Sequence, residues 1–461
     1  MADMAKSTPT TKPNLILTCT PGKGHVHPIS TIAKALIQAG YPLTVVSSSH
    51  YRPTFTSLGA RYVAIQGYGD YWDGDRDAKW PQHALLAPGS PEQFAYALEH
   101  SFFRVIPDQL RAVQTAISQL RTESPTSPII VLNESASVGA LPLMRSCDGP
   151  KPDGMIGIGI NPVSLSSRDV PPFGPGLPLP RNDEDRAAYA AMQAHMNKTI
   201  FAKPLQVLDE ILESVGVGKI RKEDGPAFDA PYTWPDRFLQ MCPASIMYPR
   251  SDAPSTFRYA GGLPKLLPNT TPELPEWWNE AVIQNPQNNK IVFVCQGTVI
   301  FDYGALVLPT IEALRNRPNT IVIAVLGLRG ATLPSQQNIP ANVHVADYLP
   351  YDAILPHADV FVGNGGYGGV IHSLSHGTPM VLAGETEDKA EMCAITAWAG
   401  AAVNLRSGRP SVAAIREGVD EVLGDGRYKE VCENIKREME GSDPLRVIGE
   451  NVDELVRAAG F

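Results

Sequence analysis

The sequence predicts an α/β protein built from two doubly wound parallel-sheet domains. Two series of strand and helix patterns support this prediction, one beginning at Leu15 and the other at Lys290. Each series alternates short apolar runs with amphipathic segments, which is typical of a parallel sheet flanked by helices. A proline-rich stretch over residues 261–289 separates the two series, as expected of an interdomain linker. A chain of 461 residues is also too long for one hydrophobic core.

The first series starts with a strand–turn–helix–strand pattern. The run LILTCT predicts a buried strand, and residues 21–25 form a glycine-containing turn after it. A helix with Ile29, Ile32 and Leu36 on one face then ends at Gly40, and LTVVSS predicts the next strand. Such a βαβ unit implies parallel strands. The Gly- and Pro-rich residues 148–180 and the helical residues 182–216 are interpreted as inserts that shape a pocket.

The second series contains the strand patterns IVFVCQGT, TIVIAVLG, VHVADYL, DVFVGN, PMVLAGE and AAVNL. We therefore assign an N-terminal domain to residues 14–262, a linker to 263–289 and a C-terminal domain to 290–442. The remaining residues, 443–461, predict a helix that packs back on the N-terminal domain.

Composition excludes several classes of protein. The chain has 39 Lys and Arg against 48 Asp and Glu, a net charge of −9, which argues against nucleic acid or an anionic membrane as a partner. Its six cysteines form no CxxC motif or His/Cys cluster, so neither a disulfide framework nor a structural zinc site is expected. The polar N-terminus and the lack of a long apolar run predict no signal peptide and no membrane span. We expect a cytoplasmic monomer.

The strongest candidate site is the run FVGNGGYGGV at residues 361–370, where a strand meets a glycine-rich helix start. Ligands of open α/β sheets bind at the carboxyl ends of strands. Bare N–H groups and the helix dipole at such a place suit a diphosphate. The glycines alone also fit a tight turn without a ligand.

The longer run GNGGYGGVIHSLSHGTPMVLAGETEDKAE resembles the C-terminal signature of family 1 nucleotide-sugar-dependent glycosyltransferases. Gly377 and Pro379 fall on the Gly and Pro of that signature, and Asp388 and Lys389 fall on its terminal Asp-Gln pair, without a gap. The stretches GIGINPVSLSSRDVPPFGPGLP and SIMYPRSDAPSTFRYAGGLP are similar to fungal-type UDP-glucosyltransferases, a group that acts on hydroxy-lipids, as in sophorolipid synthesis, and on phenols and polyketides. The resemblance covers about residues 14–458. It implies the GT-B fold, in which two Rossmann-like domains face each other across a cleft.

The resemblance also implies that the C-terminal domain holds a UDP-sugar, although several positions depart from the family pattern. Asn364 replaces the histidine that contacts phosphate, and its amide can still donate a hydrogen bond. Gly368 and Gly369 replace an Asn-Ser pair and leave only backbone donors. His372 stands in the place of the Glu that binds ribose, with a helix-surface histidine as the alternative reading. Lys389 stands in the place of the Gln, where it would bond the sugar hydroxyls or the diphosphate.

Two further segments complete the donor site that the resemblance implies. Tyr348 occupies the place where the family stacks uracil on an aromatic ring, and the backbone of Leu349 would pair with the base edge. Packing of Tyr348 at a strand end is the alternative. Gly297 and Thr298 match a phosphate contact. The expected UDP-sugar-binding residues are Gly297, Thr298, Tyr348, Leu349, Asn364, Gly365, Gly366, Gly368, Gly369, His372, Asp388 and Lys389.

The N-terminal segment GHVHP at residues 24–28 matches the family's GHxxP element, which implies that His25 is the catalytic base. An imidazole near neutral pH can take the proton of an acceptor hydroxyl as it attacks. His27 is the alternative base. A neutral imidazole needs an acceptor on its other nitrogen, and the resemblance aligns Glu134 with the Asp that serves this role. Asn133 is the alternative partner.

Together these features predict an inverting transfer of a hexose, most simply glucose from UDP-glucose, to a hydroxyl of an apolar small molecule such as a phenol, flavonoid, polyketide or hydroxy-lipid. We expect UDP-sugar as a co-substrate, and no metal or other cofactor. Aromatic side chains of the N-terminal inserts are candidates to line the acceptor pocket: Tyr68, Tyr71, Trp72, Trp80, Phe94, Phe102, Phe103 and Phe173.

Two other functions are compatible with the fold. An NAD-dependent oxidoreductase would carry GxGxxG after a strand and an acidic residue near the end of the next strand, but PGKGHVHP has only part of that pattern and LTVVSS ends without an acid. A nucleotide-sugar-binding protein without catalysis would not need both His25 and Glu134, which are present.

Overall fold

The computed structural model describes residues 12–221, 224–264, 273–297, 302–334 and 338–461, and within them it contains two parallel sheets. The N-terminal sheet has the order β3-β2-β1-β4-β5-β6-β7. Its strands are β1 Asn14–Thr18, β2 Leu43–Ser47, β3 Arg61–Ala64, β4 Ile129–Glu134, β5 Gly154–Gly159, β6 Arg237–Gln240 and β7 Phe257–Tyr259.

The C-terminal sheet has the order β10-β9-β8-β11-β12-β13 and is also parallel throughout. Its strands are β8 Lys290–Cys295, β9 Thr320–Val325, β10 Val343–Ala346, β11 Val360–Gly363, β12 Met380–Leu382 and β13 Ala402–Asn404. The prediction of two parallel α/β sheets is confirmed.

Helices cover both sheets. Their bounds are α1 Lys23–Gln38, α2 Arg52–Thr56, α3 Arg76–Lys79, α4 Pro81–Leu85, α5 Pro91–Ala97, α6 Ile106–Glu123, α7 Asp183–Lys198, α8 Ala202–Ser214, α9 Ala230–Thr233, α10 Val307–Ala313, α11 Tyr351–Ile354, α12 Tyr367–Ser375, α13 Lys389–Trp398, α14 Val412–Gly424, α15 Gly426–Glu440 and α16 Pro444–Ala458. In the part of the chain described by the structure, no helix is long and apolar enough to cross a membrane.

Both sheets are buried on both faces, which explains why their strands are continuous apolar runs rather than alternating ones. Residues 130 and 132 of β4 face one apolar cluster, and residues 129 and 131 face the other. The last helix, α16, contributes Ile448, Val452 and Leu455 to the cluster that contains Leu15 and Ile156 of the N-terminal sheet. The chain therefore ends packed on the sheet with which it begins.

Each sheet has one point where the strand order reverses direction, between β1 and β4 in the first and between β8 and β11 in the second. Connections leave such a pair of neighbouring strands toward opposite faces, so a crevice opens between their carboxyl ends. His25, Gly297 and Asn364 follow β1, β8 and β11, and Glu134 is the last residue of β4. The two sheets thus present equivalent crevices.

One local prediction is corrected. Residues 21–25 were expected to form a turn before the helix, but α1 already begins at Lys23, directly after the extended Gly22. His25 therefore lies in the first helical turn. Pro28 is the sixth residue of α1 and lacks the N–H that would bond the carbonyl of Gly24, so the helix loses one backbone hydrogen bond there.

Candidate active site

The N-terminal half of the site is a histidine and a carboxylate on neighbouring strands. β1 pairs with β4 so that Thr18 is opposite Asn133, which brings the start of α1 next to the end of β4. As a result His25 Nδ1 lies 3.3 Å from Glu134 Oε1. Glu134 is fully buried, and its other oxygen accepts the backbone N–H of Thr20 at 3.1 Å. The Glu134 carboxylate therefore contacts the His25 imidazole with one oxygen and is held by the backbone with the other.

The environment of this pair favours its charged form. Burial is the largest single effect and lowers the pKa of His25, but the charge and hydrogen bond of Glu134 and the charges of Asp388 and Glu387 together outweigh it, so that the pKa lies above the ordinary 6.5. Burial raises the pKa of Glu134, and this effect is outweighed by the charge of His25 and by backbone hydrogen bonds such as that from Ala136 at 2.8 Å, so its pKa lies below 4.5. Glu134 is thus ionised at neutral pH and can stabilise an imidazolium on His25.

The side chains of Asn133 and His27, the alternatives to Glu134 and His25, make other contacts. Asn133 Oδ1 accepts the hydroxyl of Thr18 at 2.9 Å, so its side chain is engaged inside the sheet rather than with His25. His27 faces the other domain, where its ring lies 6.5 Å from that of His372. The structure therefore brings the side chain of His25 together with that of Glu134, and not with that of Asn133.

The C-terminal half is organised around Asn364, which follows β11. Its amide donates to the carbonyl of Gln296 at 2.7 Å, and its oxygen accepts the N–H of Gly366 at 3.3 Å. Asn364 therefore holds the loop after β8 against the loop after β11. Gly297 and Gly365 lie in these loops with φ of 83° and 74°, a backbone conformation that favours glycine. Thr298, the neighbouring predicted phosphate contact, lies outside the described residues.

At the start of α12, one glycine has free space where a side chain would lie. A Cβ on Gly368 would meet nothing within 4 Å, whereas one on Gly369 would contact Tyr351 at 3.4 Å and one on Gly365 would clash with the thiol of Cys393. Gly366 is the N-cap of the helix and supplies no side chain. The first N–H groups of α12 have no intrahelical acceptor, so the exposed backbone at Gly368 can bind an anion.

Tyr348 and Leu349 follow β10, at the same edge of the sheet. Leu349 is buried, and the guanidinium of Arg329 lies 4.7 Å from the centre of the Tyr348 ring. His372, in α12, contacts Asp352 at 3.2 Å through Nδ1. The predicted ribose residue is thus bound to a carboxylate from α11. Sequence reasoning missed both Arg329 and Asp352, since no motif marks them.

Asp388 and Lys389 lie at the start of α13, and Asp388 is close enough to the N-terminal dyad for its charge to act on His25. Asp388 is the N-cap of α13, but its carboxylate makes no capping hydrogen bond, and burial raises its pKa above the ordinary 3.8. The negative charges of Asp388 and Glu387 contribute to the raised pKa of His25 across the cleft. Lys389 is paired with Glu387. The backbone φ of Glu387 is 57°, a left-handed conformation that is strained for residues other than glycine. Sequence patterns do not reveal that strain.

The two halves are connected directly. The hydroxyl of Tyr367, in α12, donates to the carbonyl of Met241 at 3.2 Å and accepts the amide of Gln240 at 3.1 Å. Tyr367 is buried in an apolar cluster that includes Tyr248 of the N-terminal part and Phe293 of the C-terminal sheet. The carboxyl ends of both sheets therefore line one cleft.

The predicted acceptor residues have mixed surroundings. Tyr71, Trp80 and Phe103 are buried, whereas Tyr68 and Phe94 are each 38% exposed. Trp72, Phe102 and Phe173 are half-buried, so Tyr68 and Phe94 have the most exposed surface of the set. In the described residues no group of three or more His, Cys, Asp or Glu side chains could hold a metal ion.

Comparison with known proteins identifies close relatives over nearly the whole chain. The chain is 34% identical to UDP-glucosyltransferase A1 of Starmerella bombicola over 450 residues, which is 97% of this chain and 93% of the relative. It is 36% identical to UDP-glycosyltransferase 2 of Phaeomoniella chlamydospora over 454 residues, 97% of each chain. Residues 314–455 match the family described as "Erythromycin biosynthesis protein CIII-like, C-terminal domain".

Solved structures show the same architecture. The glycosyltransferase of kitacinnamycin is similar with a TM-score of 0.68 at 19% identity, covering 97% of this chain and 98% of that one. The calicheamicin glycosyltransferase CalG4 is similar with a TM-score of 0.68 at 17% identity, covering 97% and 100%. These matches confirm the predicted GT-B fold of two Rossmann-like domains.

Proposed function

The chain belongs to the family 1 UDP-glycosyltransferases, and we propose that it transfers glucose from UDP-glucose to a hydroxyl of an apolar small molecule with inversion at the anomeric carbon. The proposal depends above all on the 3.3 Å contact between His25 and the buried Glu134, which faces Asp388 across the cleft. A base so placed is what an acceptor hydroxyl needs, because the neutral hydroxyl is a poor nucleophile.

In the proposed reaction, the acceptor hydroxyl lies against His25 Nε2. Its oxygen attacks the anomeric carbon while the bond from that carbon to the β-phosphate oxygen breaks, and the hydroxyl proton passes to the imidazole. Glu134 then stabilises the imidazolium through Nδ1, as the orienting carboxylate does in related dyads. The positive charge that forms on His25 is thus balanced by the negative charge of Glu134.

The leaving UDP would be held by the C-terminal half. Its diphosphate charge would be met by the backbone N–H groups at Gly368 and Gly369, which are fixed before the reaction and need no reorganisation. Tyr348 would stack with uracil, and Asp388 and Lys389 would bond the sugar hydroxyls. The acceptor would lie beside the exposed aromatic side chains Tyr68 and Phe94 of the N-terminal inserts.

A donor-by-acceptor screen tests this proposal. Purified protein is incubated with UDP-glucose, UDP-galactose or UDP-N-acetylglucosamine and with phenols, flavonoids, polyketides and hydroxy fatty acids, and products are read by mass spectrometry. We expect a mass gain of one hexose with UDP-glucose, and a β-linked product by NMR from the α-linked donor. An α-linked product would contradict inversion, and transfer from another donor alone would contradict glucose.

A further inference from the structure

A buried carboxylate of the C-terminal domain binds the backbone of the N-terminal domain. Glu391, in the first turn of α13, is only 2% exposed. Its Oε2 accepts the backbone N–H of Gly174 at 3.2 Å, and the backbone N–H of Gly176 also lowers the pKa of this carboxylate. These glycines belong to residues 171–180, a Pro- and Gly-rich segment of the N-terminal inserts that we term the strap.

The strap is shaped for this contact. Gly174 and Gly176 have φ of 114° and 63°, which favours glycine at both positions. A Cβ on Gly176 would lie 2.5 Å from the carbonyl oxygen of Ala390, so only glycine allows the strap to approach α13 this closely. The hydroxyl of Tyr248 donates to the carbonyl of Leu177 at 3.1 Å and holds the strap from the N-terminal side.

The position of Glu391 connects the strap with the donor site. Asp388 and Lys389 lie within three residues of Glu391, at the same end of α13. An α-helix is stiff over one turn, so a contact that fixes Glu391 also fixes the direction of the residues before it. We propose that Glu391 is a positioning residue, which fastens the strap to α13 and thereby sets Asp388 and Lys389 against the reacting sugar. This inference rests on the proposed donor-binding role of Asp388 and Lys389.

Burial of Glu391 makes the strap contact sensitive to pH. Burial raises the pKa of Glu391 from the ordinary 4.5 to about 7, against the opposing effects of the strap hydrogen bonds and of Arg250. Among the described residues, the groups that face Glu391 from the segment after β6 are Arg250 and Tyr248. Release of the strap would expose Glu391 to water and return its pKa toward 4.5, so we expect closure of the strap to take up a proton. The contact is therefore most favourable below pH 4.5 and weakens as the pH rises through about 7.

Two substitutions separate the parts of this proposal. Glu391→Gln keeps an oxygen that accepts from Gly174 but cannot ionise, so it should imitate the protonated side chain and remove the pH dependence of the contact. Glu391→Ala removes the acceptor and leaves the strap N–H groups unpaired. We expect Glu391→Ala to raise KM for the UDP-sugar about tenfold, with a smaller change of kcat at saturating donor. The exposed Glu430→Gln is the matched control.

The experiment measures hydrogen–deuterium exchange of the strap and KM for UDP-glucose in the full chain at pH 6 and pH 8, with variants compared at equal pH. Relative to the strap of Glu391→Gln, the strap of the wild type should be better protected from exchange at pH 6 than at pH 8. In Glu391→Ala the strap should be exposed to exchange at both pH values. Strap protection and KM of Glu391→Ala within twofold of the wild type would overturn the proposal, as would a change of exchange without a change of KM. If the wild type transfers no sugar at all, the proposed function fails instead, and the affinity for UDP-glucose relative to UDP, measured by calorimetry, takes the place of KM.

Discussion

At the scale of single residues, the chemistry of His25 is set by what surrounds it. Burial disfavours the imidazolium, but Glu134 lies 3.3 Å away and the charges of Asp388 and Glu387 act across the cleft. The net effect raises the pKa of His25 above 6.5 in the unliganded protein. A base must be neutral to accept a proton, so the rate of transfer should fall as the pH drops through this raised value.

The Glu134→Gln variant tests this reading. Without the carboxylate charge, burial should lower the pKa of His25, so the acidic limb of the pH profile of kcat/KM moves to lower pH. The plateau rate should fall by roughly 10- to 100-fold, because the imidazolium loses its stabilising charge. Initial rates between pH 5 and pH 9 measure both effects. An acidic limb at the same pH as in the wild type would show that Glu134 does not act through His25.

Asp388 should act on the sugar rather than on the nucleotide. Its carboxylate is at the cleft and makes no capping hydrogen bond, which leaves its oxygens for the sugar hydroxyls. We expect Asp388→Ala to weaken UDP-glucose binding about tenfold while UDP binding changes less than twofold. Isothermal titration with both ligands measures the difference. Equal losses for the two ligands would remove Asp388 from the sugar site.

At the scale of elements, the glycine-rich start of α12 offers a substitution that separates folding from binding. A Cβ at Gly368 meets no protein atom within 4 Å, and alanine is the better helix former, so Gly368→Ala should not destabilise the protein. If the diphosphate lies against this backbone, the methyl group should occupy its space and raise the Kd for UDP about tenfold or more.

Gly424→Ala is the matched control for Gly368→Ala, because Gly424 also lies in a helix and its Cβ would meet nothing within 4 Å. Both variants should keep the thermal midpoint of the wild type, and only Gly368→Ala should lose UDP affinity. Unchanged UDP binding by Gly368→Ala would place the diphosphate elsewhere.

Sequence patterns predicted these elements better than the contacts between them. Continuous apolar runs and glycine turns identified the six strands of the second sheet and β1 and β2 of the first, and the order of motifs indicated which ones lie at a strand end. The pattern could not show that Glu391 binds the strap, since the contact joins residues 217 positions apart. The left-handed backbone at Glu387 and the position of Arg329 over Tyr348 are likewise results of packing that no local signal encodes.

At the scale of the whole molecule, the last helix belongs to the first sheet. Ile448 of α16 is fully buried in the cluster with Leu15 and Ile156. Ile448→Ala should therefore destabilise the N-terminal domain by roughly 2–5 kcal/mol, the usual cost of a large-to-small change in a core. Urea unfolding measures this, with the exposed Glu450→Ala as a control expected to change stability by less than about 0.5 kcal/mol. Equal midpoints for both variants would show that α16 does not support that sheet.

Each half of the proposed active site is incomplete alone, because the base lies in one crevice and the donor site in the other. The crossing contacts at Tyr367 and at Glu391 hold these crevices together. Family membership sets aside the alternatives of a non-catalytic sugar-nucleotide binder and of an NAD oxidoreductase. The family resemblance implies that His25 is the base, and the contact between His25 and Glu134 is the structural observation that supports this assignment.

The most direct test of that assignment compares His25→Ala with the wild type, using the initial rate of glucosyl transfer and the Kd for UDP. We predict that His25→Ala lowers kcat by about 10²- to 10⁴-fold, the contribution of a positioned general base, while the Kd for UDP stays within threefold. His27→Ala, two residues away and directed toward His372, should keep most of the rate. A His25→Ala variant that retains more than a tenth of the wild-type kcat would contradict the account.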